Sequence, residues 1–226
     1  MKAPRILERV QDGRYERAEI HGLSKVLRPG DRVLDLGAGL GVSSTYAAKF
    51  AGVAAVTAVE PNPHQLAFLR EVYTTNGVEV DLRHGLPDGR QDPPATVPFY
   101  ARPAVIGSSV FEAEGGGKAE QVPVLPLQTL LEEVRPTVLS CDIEGSEHDL
   151  FLGQTLPGLR AIVMELHPQV IGRDKVAALL AHLKSVGFHD EGVSRAAKVA
   201  VLVRRGALGR TWRQAKRALR GKSRKG

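Results

Sequence analysis

Two short stretches carry most of the chemistry in this chain. The first is Asp35-Leu36-Gly37-Ala38-Gly39-Leu40-Gly41-Val42, with Glu60 standing 23 positions after Gly37. Glycines that close an apolar strand let the backbone turn sharply and approach a ligand with no Cβ in the way. An acid at the end of the following strand, Glu60, can accept hydrogen bonds from both hydroxyls of a ribose. The second stretch is Ser140-Cys141-Asp142-Ile143-Glu144-Gly145-Ser146-Glu147, followed at the next strand end by Glu165-Leu166-His167-Pro168. Two carboxylates one residue apart at a strand mouth do not sit unpaired in a core. In open α/β sheets the strand mouths are where ligands bind. Asp142, Glu144, Glu165 and His167 are therefore expected to meet in one cleft.

The glycine turn discriminates among nucleotides. A dinucleotide pattern needs a further glycine at position 42, where Val stands, and no Gly-Lys-Ser/Thr follows to make a phosphate loop. Asp35, two residues before Gly37, would repel a pyrophosphate but can hold the ammonium of a methionine moiety. The ligand read from these residues is a cationic nucleoside, S-adenosylmethionine. The competing reading is a tight strand-helix connection with a surface Glu60, and the strand, the Asp and the placed Glu together outweigh it.

The elements that must position these residues alternate in type. Residues 4–27 read as helical, and Pro29-Gly30 ends that segment. Strands are expected at Arg32–Leu36, Ala54–Val59, Val78–Leu82, Thr137–Cys141 and Leu159–Leu166, with helices over 42–50, 63–76, 127–134, 147–155 and 173–186. Residues 84–120 are expected to be irregular, with short extended pieces near Val97–Tyr100 and Val105–Val110 and a turn at Gly115-Gly116-Gly117. Two closing strands near Phe188–Glu191 and Lys198–Val203 place the last one antiparallel in a mostly parallel sheet.

Several of these pieces fall in the order of a known family. Asp35 through Gly41, Glu60-Pro61-Asn62-Pro63, Asn76, Val124 through Leu130, Asp142-Ile143-Glu144-Gly145-Ser146-Glu147 and Met164-Glu165 span about residues 30–170 and resemble the FkbM-type methyltransferases. The Asp142–Glu147 piece is the most specific of them. The resemblance implies an α/β, Rossmann-like class I methyltransferase fold: a mostly parallel seven-stranded sheet, its last strand antiparallel, with helices on both faces. It also implies O-methylation of a hydroxyl on a saccharide or secondary metabolite, with S-adenosylmethionine as cofactor. On that resemblance Asp35, Gly37, Ala38, Gly39, Glu60 and Pro61 would hold the cofactor, while Asp142 and Glu144 would face the methyl group and its acceptor. Two positions depart from the pattern: Arg83-His84-Gly85-Leu86-Pro87 replaces a small-residue segment bordering the adenine, and Ala38 stands where Asn is common.

Methyl transfer is an in-line displacement, so positioning supplies much of its rate. A hydroxyl acceptor must also lose its proton to a nearby base. Asp142 or Glu144 is expected to take it, with His167 next in line; the structural alternative for Glu144 is a loop-orienting or helix-capping carboxylate. Glu165, Ser109 and His84 are candidates for substrate contact, although ordinary loop polarity is the simpler account of His84 and of the Ser108-Ser109 pair. Acids and a histidine together also suit a hard or borderline divalent cation. Nothing in the spacing fixes one, and no metal ligand is assigned. Cys141, the single cysteine, excludes an internal disulfide and reads as a small core residue.

Length and charge bound the rest. With 226 residues and 42% apolar content, the chain suits one packed domain over residues 31–203, preceded by a helical segment at 1–30 and followed by a basic tail at 204–226. Ten of the 31 basic residues lie in that tail without an acid, so the body carries 21 bases against 25 acids and is mildly acidic. Contact with a nucleic acid or an anionic membrane surface must therefore rest on the tail, where Leu208, Trp212, Ala215 and Leu219 form a narrow apolar stripe. The first residues lack the apolar core of a signal peptide, and a cytoplasmic location is expected. The acceptor is expected to be a small molecule or glycan. The alternatives are an RNA or protein methyltransferase tethered by the tail, or a nucleoside-binding module without turnover. Oligomeric state is left open.

Overall fold

A computed structural model of the chain describes residues 12, 13, 15–100, 119–192 and 198–204. Helix α1 (Arg17–Val26) leads into β1 (Arg32–Leu36), α2 (Val42–Lys49) and β2 (Ala55–Glu60). A 3-10 turn (Pro63–Gln65) runs into α3 (Leu66–Thr75), and β3 (Asp81–His84), β4 (Leu86–Asp88), β5 (Thr96–Tyr100) and β6 (Ala119–Pro126) follow. The second half comprises α4 (Leu127–Val134), β7 (Val138–Cys141), α5 (Glu147–Phe151), β8 (Ala161–Glu165), α6 (Pro168–Ile171), α7 (Arg173–Ser185), β9 (Phe188–Asp190) and β10 (Val199–Arg204).

Seven strands make one sheet in the order β3-β2-β1-β7-β8-β10-β9. The pairs from β3 to β8 are parallel, whereas β10 enters between β8 and β9 antiparallel to both. The chain winds outward from β1 in one direction to β3 and returns to the other side of β1 with β7. That reversal opens a crevice at the carboxyl ends of β1 and β7.

Strands β1, β2, β7 and β8 are buried nearly throughout, as central parallel strands covered on both faces must be. One face packs against α1, where Leu23 and Val26 join Val163 and Val201. On the other, Leu130, Leu131 and Val134 of α4 and Leu179 and Leu183 of α7 close over Leu34, Leu139 and Ile162. Each fully buried leucine or phenylalanine contributes about 1.5–3 kcal/mol to holding this scaffold rigid. Among the described residues no helix is long and apolar enough to cross a membrane.

Several expectations are corrected. The helix read over 4–27 is not continuous, because Glu16 adopts a left-handed conformation (φ 49°) and α1 starts after it. The third strand begins at Asp81 rather than Val78, since the Val78 amide still bonds the Tyr73 carbonyl at the end of α3. Helix α5 ends at Phe151, short of position 155, with Gly153 at φ 84° just beyond. His84 ends β3 instead of opening an irregular stretch. Within that stretch β4 and β5, together with β6, which runs past it to Pro126, build a small sheet in the order β4-β6-β5, with Phe99 and Val122 buried beneath Leu86. The extended piece at 105–110, the triple-glycine turn, Ser108, Ser109 and the tail beyond Arg204 lie outside the described residues.

Candidate active site

Strand β1 delivers Asp35 and the glycine turn to the crevice. Its register pairs Asp35 with Ala58 of β2 on one side and Ser140 of β7 on the other. Asp35 is almost wholly buried, and its Oδ2 has no hydrogen-bond partner. Burial pushes its carboxyl up to about 6, while hydrogen bonds from Ser140 and Ser44 hold it back from rising further. A buried acid with an orphaned oxygen has reason to meet a cation.

The glycines divide the work. Gly37, at φ 81°, lies so close to the neighbouring loop that a Cβ would stand 1.8 Å from the Asp142 carbonyl oxygen. Gly41 caps α2 in a left-handed conformation, pressed against Leu69 and Tyr73. Gly39 is the one with space: a Cβ there would meet only the Gly37 carbonyl and the Tyr15 hydroxyl, each at 3.8 Å. The amides of Gly37 and Ala38 donate to the Val59 carbonyl, which ties the turn to β2.

Glu60 closes the turn from the β2 side. Its Oε2 accepts from the Gly39 amide at 2.9 Å and its Oε1 from the Asn62 amide at 2.8 Å. Each oxygen keeps a lone pair for a ribose hydroxyl. Burial pushes this carboxyl up to about 7 against the pull of those two amides, with the charge of Asp35 adding to the rise. Beside it the His84 ring contacts the Pro61 carbonyl at 3.1 Å, consistent with the Glu60–His84 register of β2 and β3.

The ends of β7 and β8 bring the second set together. His167, with its side chain 4% exposed, contacts Glu147 Oε1 through Nδ1 at 2.7 Å. Its Nε2 faces Glu144 Oε2 at 3.5 Å, Asp142 Oδ1 at 3.6 Å and Glu165 Oε1 at 4.0 Å. Glu147 is fully buried at the start of α5 and also accepts from the Gly145 amide at 3.1 Å. Glu144 sits at φ 53° on the tight loop and remains 42% exposed, the most open of the four acids. Burial, then the charges of Glu165 and Glu144, raise Asp142 well above the usual carboxylate range. Burial also raises Glu165. Burial alone would lower His167, but the Glu147 hydrogen bond and the charges of Glu147, Asp142 and Glu165 outweigh it and raise the imidazole.

A third contribution was not foreseen from the sequence. The turn before α1 lays Tyr15 and Glu16 over the same crevice. The Glu16 carboxylate accepts from the Ser43 amide at 3.0 Å and from the Ser43 hydroxyl at 2.8 Å, so it caps the first turn of α2. Burial pushes Glu16 up to about 8, opposed by its Ser43 hydrogen bond. Tyr15, close to Gly39, is raised by burial and by the charges of Glu16 and Asp142. One turn on, Glu19 adds to the rise of Glu165. No periodicity marks these residues, because their partners lie far away in the chain. Glu147 was visible as a helix-start acid, but not as the group that holds His167.

The structure thus joins Asp142, Glu144, Glu165 and His167 in one cluster. It sets Asp35, Gly39 and Glu60 beside that cluster across the Gly37–Asp142 contact. His84, on β3, is separated from β7 by the two strands β2 and β1, on the Pro61 side. A cleft lined by acids, with an orphaned Asp35 oxygen and an uncrowded Gly39 backbone, fits a cationic nucleoside.

Comparison with known proteins agrees. Residues 35–189 match the family described as the methyltransferase FkbM domain. The ribosomal protein L11 methyltransferase of Symbiobacterium thermophilum is 41% identical over 61 residues, which make up 27% of this chain and 20% of that protein. Among solved structures, the ribosomal protein L11 methylase of Lactobacillus delbrueckii subsp. bulgaricus superposes with a TM-score of 0.51 at 14% identity, covering 83% of this chain and 77% of that one. The precorrin-6y C5,15-methyltransferase of Geobacter metallireducens gives a TM-score of 0.51 at 14% identity, covering 85% and 87%. These superpositions speak to the fold.

Proposed function

The chain belongs to the FkbM family of S-adenosylmethionine-dependent methyltransferases, and from that membership we propose that it methylates a hydroxyl on an uncharged acceptor, a saccharide or secondary metabolite. S-adenosylmethionine, when bound, supplies an electrophilic methyl group on a sulfonium that becomes a neutral thioether after transfer. Asp35 would hold its ammonium end, Glu60 its ribose hydroxyls, and the open backbone at Gly39 would let the nucleoside approach.

The observation that carries the acceptor reading is the position of Glu144. It is a half-exposed carboxylate on the loop whose backbone abuts the glycine turn, beside the partly exposed Asp142 and the buried His167. A group in that place can take the proton of an incoming hydroxyl while the loop fixes its distance from the cofactor. Asp142 orients the acceptor, and His167, clamped by Glu147, keeps its Nε2 facing the two acids. The acid lining of Glu16, Glu19, Asp142, Glu144 and Glu165 repels a polyphosphate backbone, which favours a neutral acceptor over RNA.

Isothermal titration with S-adenosylmethionine, followed by transfer assays on glycan, polyketide, RNA and protein pools, tests this. Labelling of hydroxyls in the glycan or polyketide pool, lost in Glu144→Gln with cofactor affinity kept, supports it. Labelling confined to RNA or protein, and lost on deletion from residue 207, transfers the case to a tail-tethered macromolecular methyltransferase. Tight cofactor binding with no product in any pool identifies a non-catalytic nucleoside-binding module.

A further inference from the structure

We propose that Asp142, Glu165 and His167 form a divalent-cation site for Mg2+ or Mn2+ at the mouths of β7 and β8. Its role, which rests on the hydroxyl-acceptor reading above, is to hold and acidify the acceptor oxygen.

The geometry and the charge of the cluster both point there. The His167 ring is buried, and its Nδ1 is committed to the fully buried Glu147 at 2.7 Å. A histidine tied at one nitrogen by a carboxylate is the arrangement that aims the other nitrogen at a metal. That other nitrogen, Nε2, has its nearest carboxylate oxygens at 3.5, 3.6 and 4.0 Å. These gaps are too long for good hydrogen bonds. Ligand atoms that share one cation at about 2.1–2.4 Å stand roughly 3–4.8 Å apart, and the donor atoms of Asp142, Glu165 and His167 all lie within 4.8 Å of one another.

The remaining features concern charge. Asp142 Oδ1, which faces Nε2, is buried without a hydrogen-bond partner. Around a single imidazole stand Asp142, Glu144, Glu147 and Glu165, and among the described residues no Lys or Arg pairs with any of them. Only Glu147 of the four is fully buried, but acids outnumber the one imidazole, and a divalent ion would offset that excess of negative charge. Two carboxylates and one imidazole make an oxygen-rich donor set that suits Mg2+ or Mn2+ better than a thiophilic metal.

With the cation holding the acceptor oxygen, Glu144 stays free as the proton acceptor. The O–H bond breaks with its proton passing to the Glu144 carboxylate. The oxygen bonds the methyl carbon as the methyl–sulfur bond breaks, and that bond's electron pair stays on sulfur.

The test uses full-length protein stripped with EDTA and titrated with Mn2+, followed by electron paramagnetic resonance, with Mg2+ as competitor. S-adenosylmethionine binding is measured separately by calorimetry in EDTA. The expected result is one Mn2+ per chain, displaced by Mg2+ and weakened at least about tenfold in Asp142→Asn, Glu165→Gln and His167→Gln. The same variants should keep cofactor affinity within about threefold, which also reports that they fold. Wild-type protein that binds the cofactor but no Mn2+, or that transfers methyl groups at full rate in EDTA, overturns the cation site and leaves the methyltransferase reading intact. Failure of the wild type to bind S-adenosylmethionine strikes the methyltransferase reading instead.

Discussion

The carbonyl of Asp142 and the α-carbon of Gly37 are packed so tightly that no other residue fits at position 37: a Cβ would come within 1.8 Å of the Asp142 oxygen. The Asp142 amide in turn donates to the Leu36 carbonyl at 2.9 Å, which continues the β1–β7 pairing past the end of β7. The glycine turn, proposed to meet the cofactor, and the Asp142 loop, proposed to meet the acceptor, are therefore one packed unit. Distance between donor and acceptor is built into backbone contact.

That contact makes Gly37→Ala a severe change. Alanine adds both a clash with backbone and an unfavourable left-handed φ, for a loss of at least about 3 kcal/mol. Gly77→Ala, also left-handed but with nothing within 4 Å of its added methyl, serves as the control. It should cost about 1 kcal/mol. Thermal unfolding of the two variants reads the difference, and equal losses would show that the loops are not coupled as described.

Asp35 trades stability for binding. Its buried carboxylate has an oxygen with no partner, so Asp35→Asn should raise the unfolding midpoint of the ligand-free protein at pH 8 by roughly 2–4 °C. The same variant should bind S-adenosylmethionine at least about tenfold more weakly, because the neutral amide loses its attraction for the ammonium. Calorimetry and thermal scans on one sample measure both. An unchanged affinity would remove Asp35 from the cofactor site.

The raised acids set a pH window. Asp35 and Glu60 titrate near 6 and 7 in the fold against 3.8 and 4.5 in their ordinary state. The native state therefore holds protons that the unfolded chain has released. Stability from the neutral forms is complete below about pH 4, declines as pH rises, and is gone above the folded values. Ionising each costs about 3 kcal/mol at pH 8. The ligand-free protein should thus melt lower at pH 8 than at pH 5. Affinity for the cationic cofactor should rise between pH 5 and 8, since the ligand favours the ionised carboxylates and releases their protons. A pH-independent affinity would count against both acids as its ligands.

Glu147 acts through His167. Glu147→Gln keeps the volume but removes the charge that clamps Nδ1 at 2.7 Å. It should lower kcat about tenfold or more and move the acid limb of the pH profile, with little change in cofactor affinity. Glu147→Asp should recover less than Glu147→Gln does, since its shorter arm cannot reach the ring. A purely structural role would lower stability and leave the pH profile where it was.

Much of the fold was legible because its signals are local. The apolar runs of β1, β2, β7 and β8 and the glycine turn sit where their spacing places them, and the doubled strand at the end correctly implied an antiparallel insertion. Segment ends were less legible. Val78 reads as a strand residue by its type, yet its amide completes the end of α3. From residue 84 to 126 the Gly and Pro content hid a small sheet whose long strand, β6, pairs with segments on both sides.

The sequence by itself determined which residues are candidates for chemistry: the acids at 35, 60, 142, 144 and 165, the histidine at 167, and the turn glycines are all written in strand-end motifs. Only the tertiary structure decided which of them meet. The crevice exists because β7 returns to the far side of β1, and Tyr15 and Glu16 join it because α1 packs across β8 and β10. His84, similar in type to His167, is left on β3 with three strands between it and β8. Strand periodicity fixes which residues reach an edge, but sheet order, set by long-range burial, fixes which edges are neighbours.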